Sequence, residues 1–236
     1  MNNLQGIISK SINNANVQFD KLGVIAGASA NAMTDAYKTP RFEVYLQDDG
    51  RTSSVQRVDY SQGSLYLTNR ELDIAIDGAG FIPVTTRDGK VAYTRSGSFK
   101  LDNEGTIIMP DGSVVGEGIQ IPINAVKVII DKNGNVKSMD KDNKIETVGK
   151  IPLVKFADVE SLEQGDFNKV YETEKSGAPV LISDTNSFRQ YHLERSNFNT
   201  YDAVNDILRL NASITASTAI MKITDELYGK AINFRQ

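Results

Sequence analysis

The side chains able to do chemistry are sparse in this chain, and their spacing gathers no reactive group. His192 is the only histidine and there is no cysteine. Spacing gives His192 no acid–base partner, and a zinc site with one histidine would need mostly carboxylate ligands, unlike the usual nitrogen and sulfur sets. The run Asp131-Lys132-Asn133-Gly134-Asn135 opens like a calcium loop, with oxygen ligands at the first, third and fifth positions. Such a loop needs a glycine sixth and a bidentate glutamate twelfth; Val136 and Asp142 stand there instead. A hairpin turn is the expected structure. Asp77-Gly78-Ala79-Gly80-Phe81 holds G-x-G but lacks the third glycine and the helix that a pyrophosphate requires. Its glycines are expected to serve a sharp turn into a strand. Asp73 and Asp77 bracket a strand-like run and offer a carboxylate pair to weigh, as for hydrolysis of a cell-wall glycan. Carboxylates at strand ends are ordinarily solvated or bonded to turn amides, and no G-x-S-x-G elbow is present. No catalytic residue, metal site or cofactor is expected, and the chain is read as a non-enzyme.

Composition narrows the partners. Lys and Arg number 26 against 30 Asp and Glu, a formal charge of −4, with no basic patch to neutralise phosphates. Nucleic acid and anionic membrane are set aside as main partners, and no small-molecule substrate is implied. Hydrophobic residues at 40% and charged residues at 24% are ordinary globular usage, which argues against wholesale disorder. The N-terminal Met1-Asn2-Asn3-Leu4-Gln5-Gly6 has no basic stretch ahead of an apolar one, as a Sec signal peptide needs. No run approaches the roughly 18 apolar residues of a spanning helix. Any export is expected to proceed without a cleaved signal.

The elements around these residues differ between the ends and the middle. From residue 4 to about 32 there is no proline, and Ile8, Ile12, Ala15, Phe19, Leu22 and Ala26 recur at helical spacing, alternating three and four after Ile12. Pro40 is expected to stop this helix. Near the C-terminus Ala203, Ile207, Leu210, Ile214, Ser217, Met221, Thr224 and Tyr228 keep the same steps, with Ala216, Ile220, Ile223 and Leu227 as a second stripe. Asn199 can cap this helix, Asp202 and Asp206 suit its positive end, and Lys230 and Arg235 suit its negative end. Between the helices, 41–47 alternates like a strand, and β-like runs follow at 72–76, 81–85, 91–94, 107–109, 126–130, 151–156 and 180–182. The turn signals between them are Asp88-Gly89, Asn103-Glu104-Gly105, Asp111-Gly112 and Asn133-Gly134. The expected fold class is mixed α and β: an all-β central domain flanked by N- and C-terminal α-helices that pair as a coiled coil. A helix of about 28 residues is roughly 40 Å long, and its stripe outruns what a compact β domain can cover. Helices of neighbouring subunits are the natural cover, and a head-to-tail contact that does not close gives a filament. A monomer whose helices fold back onto the sheet is the alternative.

Several runs read together as a pattern. Residues 26–38 match A-N-N-x-A-N-x-x-T-x-G-Y-K at Ala26, Ala30, Asn31, Thr34, Tyr37 and Lys38, and depart from it at Gly27, Ala28 and Ala36. Leu72-Asp73-Ile74-Ala75-Ile76-Asp77-Gly78-Ala79-Gly80-Phe81 follows L-D-x-A-I-x-G-x-G-F. Tyr93-Thr94-Arg95-Ser96-Gly97-Ser98-Phe99-Lys100-Leu101-Asp102, then Gly105 and Asp111-Gly112, follow Y-T-R-x-G-x-F-x-L-D-x-x-G and its D-G turn. Ser196-Asn197 stands where S-N-V opens a C-terminal helix, and Asp225 where an aspartate lies late in it. Ala212-Ser213-Ile214-Thr215 replaces the R-x-Y-E between them. These blocks resemble the bacterial flagellar axial family, the rod, hook and related subunits of the basal body.

The resemblance implies a structural subunit whose terminal helices form the inner tube of a hollow rod, with the β domain outside. It implies as partners copies of the chain itself, other rod subunits and the flagellar export apparatus, and a place in the periplasmic rod. The length implies a rod rather than a hook subunit, and the short segment from 42 to about 72 favours the proximal over the distal rod. The expected domains are 1–36 and 196–236 for the helices, 37–70 as an extended linker with short strands, and 71–195 as the β domain. The expected assembly interface comprises Ile8, Ile12, Phe19, Leu22, Ile207, Leu210, Ile214 and Met221. A secreted oligomeric binding module is the rival from another class.

Overall fold

The computed structural model describes residues 2–182 and 187–233. Its contacts divide the chain into two compact units, one of residues 1–32, 39–59 and 198–236, the other of 33–38 and 60–197. Arg235, read as a favourable charge at the end of the last helix, lies outside the described residues.

The first unit comprises helix α1 (Asn2–Ala30), strands β1 (Pro40–Leu46) and β2 (Thr52–Val58), and helix α2 (Thr200–Asn233). Pro40 does not stop the first helix; it opens β1. The helix ends at Ala30 because the Asn31 side-chain amide donates to the Gly27 carbonyl at 2.9 Å. The amides of Asn31 and Ala32 also turn to Ala28 and Ser29, at 3.1 and 3.2 Å, closing a tighter final turn. At the start of α2, Asn199 is the cap: its Oδ1 accepts from the Tyr201 amide at 2.9 Å and its carbonyl from Ala203 at 3.1 Å. Asp202 occupies the first turn of α2 and Lys230 the last.

The helices run antiparallel, Asn14 meeting Ser213 and Ser217 while Lys21 meets Asp206 at 3.0 Å. β1 and β2 form an antiparallel hairpin from Pro40↔Val58 to Leu46↔Thr52, held to α1 where the Thr52 amide donates to Asn13 Oδ1 at 2.7 Å. Residues 37–70, read from sequence as a linker with short strands, thus hold this hairpin, and the boundary between the units falls inside them.

The second unit is built of short strands: β3 (Leu65–Leu67), β4 (Ile74–Ile76), β5 (Ile82–Thr85), β6 (Val91–Thr94), β7 (Lys100–Leu101), β8 (Ile107–Ile108), β9 (Val114–Val115), β10 (Lys127–Ile130), β11 (Asn135–Met139), β12 (Ile145–Lys150), β13 (Val154–Lys155), β14 (Glu163–Gln164), β15 (Lys169–Tyr171), β16 (Val180–Leu181), β17 (Phe188–Gln190) and β18 (His192–Glu194). One sheet has the order β14-β15-β6-β5-β9-β8-β7, a second β10-β11-β12, and β13-β16, β17-β4 and β18-β3 pair two by two. Period two decides what each strand buries: Ile82 and Val84 of β5, and Val128 and Ile130 of β10, point inward. These four side chains meet in one core with Ile74, Ile76, Phe99, Ile107, Val136 and Phe188. A smaller cluster joins Phe81, Tyr93, Val154, Phe156, Leu162 and Val170.

The turn dipeptides read from sequence sit where the chain reverses, with Gly89, Gly105, Gly112 and Gly134 all at positive φ. Asp131 is a turn residue: its Oδ1 accepts the amides of Asn133 and Asn135 at 3.0 and 2.9 Å. Among the described residues no cluster of three or more His, Asp or Glu could hold a metal ion, and no helix is long and apolar enough to cross a membrane.

Candidate functional site: a buried ion cluster and two exposed stripes

The motif residues of the second unit converge on a carboxylate that sequence reasoning missed. The Glu194 side chain is 0% exposed. Its Oε1 accepts from Lys38 Nζ at 2.6 Å and from the Gly63 amide at 2.8 Å, and its Oε2 from Arg95 Nε at 2.8 Å. Two cations against one anion leave a surplus positive charge, and carbonyl dipoles meet it. Arg95 donates to the carbonyls of Gly80 at 2.8 Å, Gly78 at 3.0 Å and Ile76 at 3.4 Å, while Lys38 donates to Ser61 at 2.6 Å.

The glycines of the Asp77–Phe81 turn now have a physical reason. Gly78 and Gly80 sit at φ of +128° and +134°, which only glycine adopts without strain, and the carbonyls of that turn are the ones that grip Arg95. Gly97 is needed for closeness instead. Its carbonyl accepts the Ile74 amide at 3.0 Å, and a Cβ there would collide with the Ile74 carbonyl.

The other motif residues pack around this cluster. Phe99 belongs to the main core, and the half-buried Leu72 packs against it. Phe81 and Tyr93 lie in the smaller one, each edge-on to Phe156 at 6.0 and 4.8 Å between ring centroids. Burial, then the nearby Glu172 carboxylate, pushes the Tyr93 hydroxyl up to about 12. The Thr34 carbonyl accepts the Tyr37 amide at 3.3 Å, and the Tyr37 carbonyl in turn accepts the Asn197 amide at 3.3 Å. The Asn197 side chain reaches Ser61 at 3.2 Å, next to half-buried Ser196. Asn31 closes α1, as described above. The blocks around Lys38, Gly78–Gly80, Arg95 and Ser196-Asn197 therefore tie the two chain entries of this unit to its sheets.

None of these groups is arranged for acid–base work. Glu194 is locked between its cations. Asp77 is held below the usual carboxylate range by hydrogen bonds from Arg189, at 3.0 and 2.8 Å. Asp73 is buried and pairs in a bridge with Ser98; among the described residues no donor reaches its carboxylate within hydrogen-bonding distance. His192 points Nδ1 at the Gln190 carbonyl, 2.8 Å away.

The first unit holds the residues read as an assembly interface, and it sorts them. Leu210 is 4% exposed, and Ile8, Ile214 and Met221 are half-buried. Ile12, Phe19, Leu22 and Ile207 stay in water, Phe19 at 55%. On α2 the residues Leu210, Ile214 and Met221 thus lie on the less exposed side of the helix. On α1 the stripe through Ile12 and Phe19 stays exposed, and the bonds to α2 come from Asn14, to Ser217, and from Lys21, to Asp206. The second stripe of α2, with Ile220, Ile223 and Leu227, is also exposed.

Comparison with known proteins decides the family. Residues 75–138 match the model of the flagellar hook protein FlgE/F/G D1 domain. The chain is 31% identical over 182 residues to the flagellar basal-body rod protein FlgG of Caulobacter vibrioides, covering 75% of this chain and 69% of that protein. It belongs to the flagellar basal-body rod protein family. The rod protein FlgG of Bacillus subtilis is 28% identical over 246 residues, spanning 100% of this chain and 91% of its own. The rod protein FlgF of Escherichia coli is 30% identical over 188 residues, 76% of this chain and 74% of that one. The matched D1 segment of this rod-family chain begins inside β4 and ends in β11, so it contains Gly78, Gly80 and Arg95 of the ion cluster.

Proposed function

We propose that the chain is a structural subunit of the bacterial flagellar basal-body rod, assembling through its terminal helices to transmit motor torque to the hook. Family membership carries this reading, and it favours neither an enzyme nor the rival binding module. In the assembled rod α1 and α2 pair as a coiled coil of an inner domain, Leu210, Ile214 and Met221 holding α2 to α1. The outward residues Ile12, Phe19 and Leu22 of α1, with Ile207, Ile220 and Ile223 of α2, then meet copies of the chain and other rod subunits. Burying each large apolar side chain contributes roughly 1.5–3 kcal/mol, and an unclosed head-to-tail contact propagates as a filament.

The flagellar export apparatus delivers the chain to the periplasmic part of the basal body. We place it in the proximal rod on the shortness of the segment between α1 and the second unit; relatives named FlgG and FlgF both match, so membership alone assigns no position. An in-frame deletion carrying a tagged complementing copy tests the proposal. Loss of hooks in the deletion, with the tagged chain in purified hook–basal bodies and close to the motor end, is the expected result. Normal hooks and a tag outside the basal body would refute it.

A further inference from the structure

The buried side of α1 mixes the apolar Val17 and Ala28 with polar groups, and the side chains that bond to α2 are polar. Ser11, Asn14, Gln18 and Lys21 follow steps of three and four along α1, and Asp206, Ser213, Ser217 and Thr224 lie on the facing stripe of α2. Asn14 is at the centre of a side-chain chain: its Nδ2 donates to Ser217 Oγ at 2.8 Å and lies 3.4 Å from Ser213 Oγ. Its Oδ1 accepts from Gln18 Nε2 at 3.2 Å. Two helical turns along α1, Lys21 Nζ pairs with Asp206 Oδ2 at 3.0 Å.

Apolar contact is non-directional, so a stripe that repeats each heptad tolerates a slip by seven residues. Directional polar partners do not. Slipping α2 by one heptad sets Asn14 against either Leu210 or Thr224, and Lys21 against Asn199 or Ser213. The first slip takes the Ser217 hydroxyl away from the half-buried Asn14 amide, and both lose the ion pair of Lys21 with Asp206. A polar residue in a helix seam is known to specify register at a cost in stability. We infer that Asn14, bonded to Ser217, is a positioning residue that sets the register of the antiparallel helix pair. It thereby fixes the axial offset between the outward stripe of α1 and that of α2, so that every copy presents the same surface. This last step rests on the rod reading; the register itself does not.

The absence of native cysteine lets two engineered ones carry nitroxide labels cleanly. Ser9→Cys and Arg209→Cys, both exposed, are introduced into the full chain and the inter-label distance is measured by double electron–electron resonance. The parent gives one narrow distance. Asn14→Leu adds a second population displaced by about 10 Å, the rise of seven helical residues. Ser217→Ala, which removes only a hydroxyl, adds the same population. The exchange Asn14→Ser with Ser217→Asn restores the single distance. A parental distance in both Asn14→Leu and Ser217→Ala, or a broad distribution already in the parent, overturns the inference. Hook formation in the deletion strain is scored separately: if the label-free parent restores hooks while the distances refuse to move, the rod reading stands and the register lock falls.

Discussion

Glu194 joins partners 156 and 99 residues away in sequence, Lys38 and Arg95. Its removal leaves two buried cations without a counter-charge, a loss on the order of 3–5 kcal/mol. Glu194→Ala should therefore lower the urea midpoint of the second unit sharply, read by tyrosine fluorescence; an unchanged midpoint would show that the cluster carries no stability.

Acid should weaken a second buried pair. Burial pushes the Asp111 carboxyl up, but hydrogen bonds from Lys169 and Ser113 and the Lys169 charge outweigh it and hold it below its ordinary value. A carboxyl lowered by folding stabilises above its unfolded value, near 3.9, and that contribution fades as pH falls through the lower folded value. Urea midpoints at pH 5 and pH 2.5 should differ less in Asp111→Asn than in the parent. At Gly97 the added methyl of alanine meets the Ile74 carbonyl, so Gly97→Ala should cost about 3 kcal/mol or more. Gly23→Ala, on α1 with nothing within 4 Å, should instead gain roughly 0.5–1 kcal/mol. Thermal melts of the two variants compare them directly.

At the scale of elements, what was legible in sequence was what is local. The Asp-Gly and Asn-Gly turns and the run at 91–94 need only neighbours in the chain, and β6 (Val91–Thr94) occupies that run. The Asn199 cap was legible for the same reason, and Asn199→Ala should cost about 1 kcal/mol of α2 stability, visible as lost helical ellipticity on heating. Strands of two or three residues such as β7, β14 and β17 are too short to show a period, and they exist only because distant strands pair with them. The end of α1 was misplaced because the Asn31 side chain closes the helix before Pro40 can act. The cross-helix bonds of α1 escaped apolar periodicity, since they are made by Asn14 and Lys21. Glu194 was equally hidden: a lone acid before Ser196-Asn197 announces no partners.

At the scale of the whole molecule, the proposed function gives the second unit the role of a stable body and the terminal helices that of the assembling part. The ion cluster and the two apolar cores hold the second unit within itself. The first unit sets Asn14 and Lys21 against α2 and leaves Ile12, Phe19, Leu22, Ile220 and Ile223 in water. An assembling subunit has a use for this arrangement, because contact among copies buries the stripes without disturbing either core.

The most direct test is Phe19→Asp, a charge placed on the outward stripe far along the chain from either core of the second unit. The variant is expressed in the deletion strain, its folding is checked by the melt of the purified chain, and hook–basal bodies are counted by electron microscopy. The account predicts a chain that melts like the parent and a cell without hooks. Hooks at the parental number would contradict it, since the stripe would then have no part in building the rod.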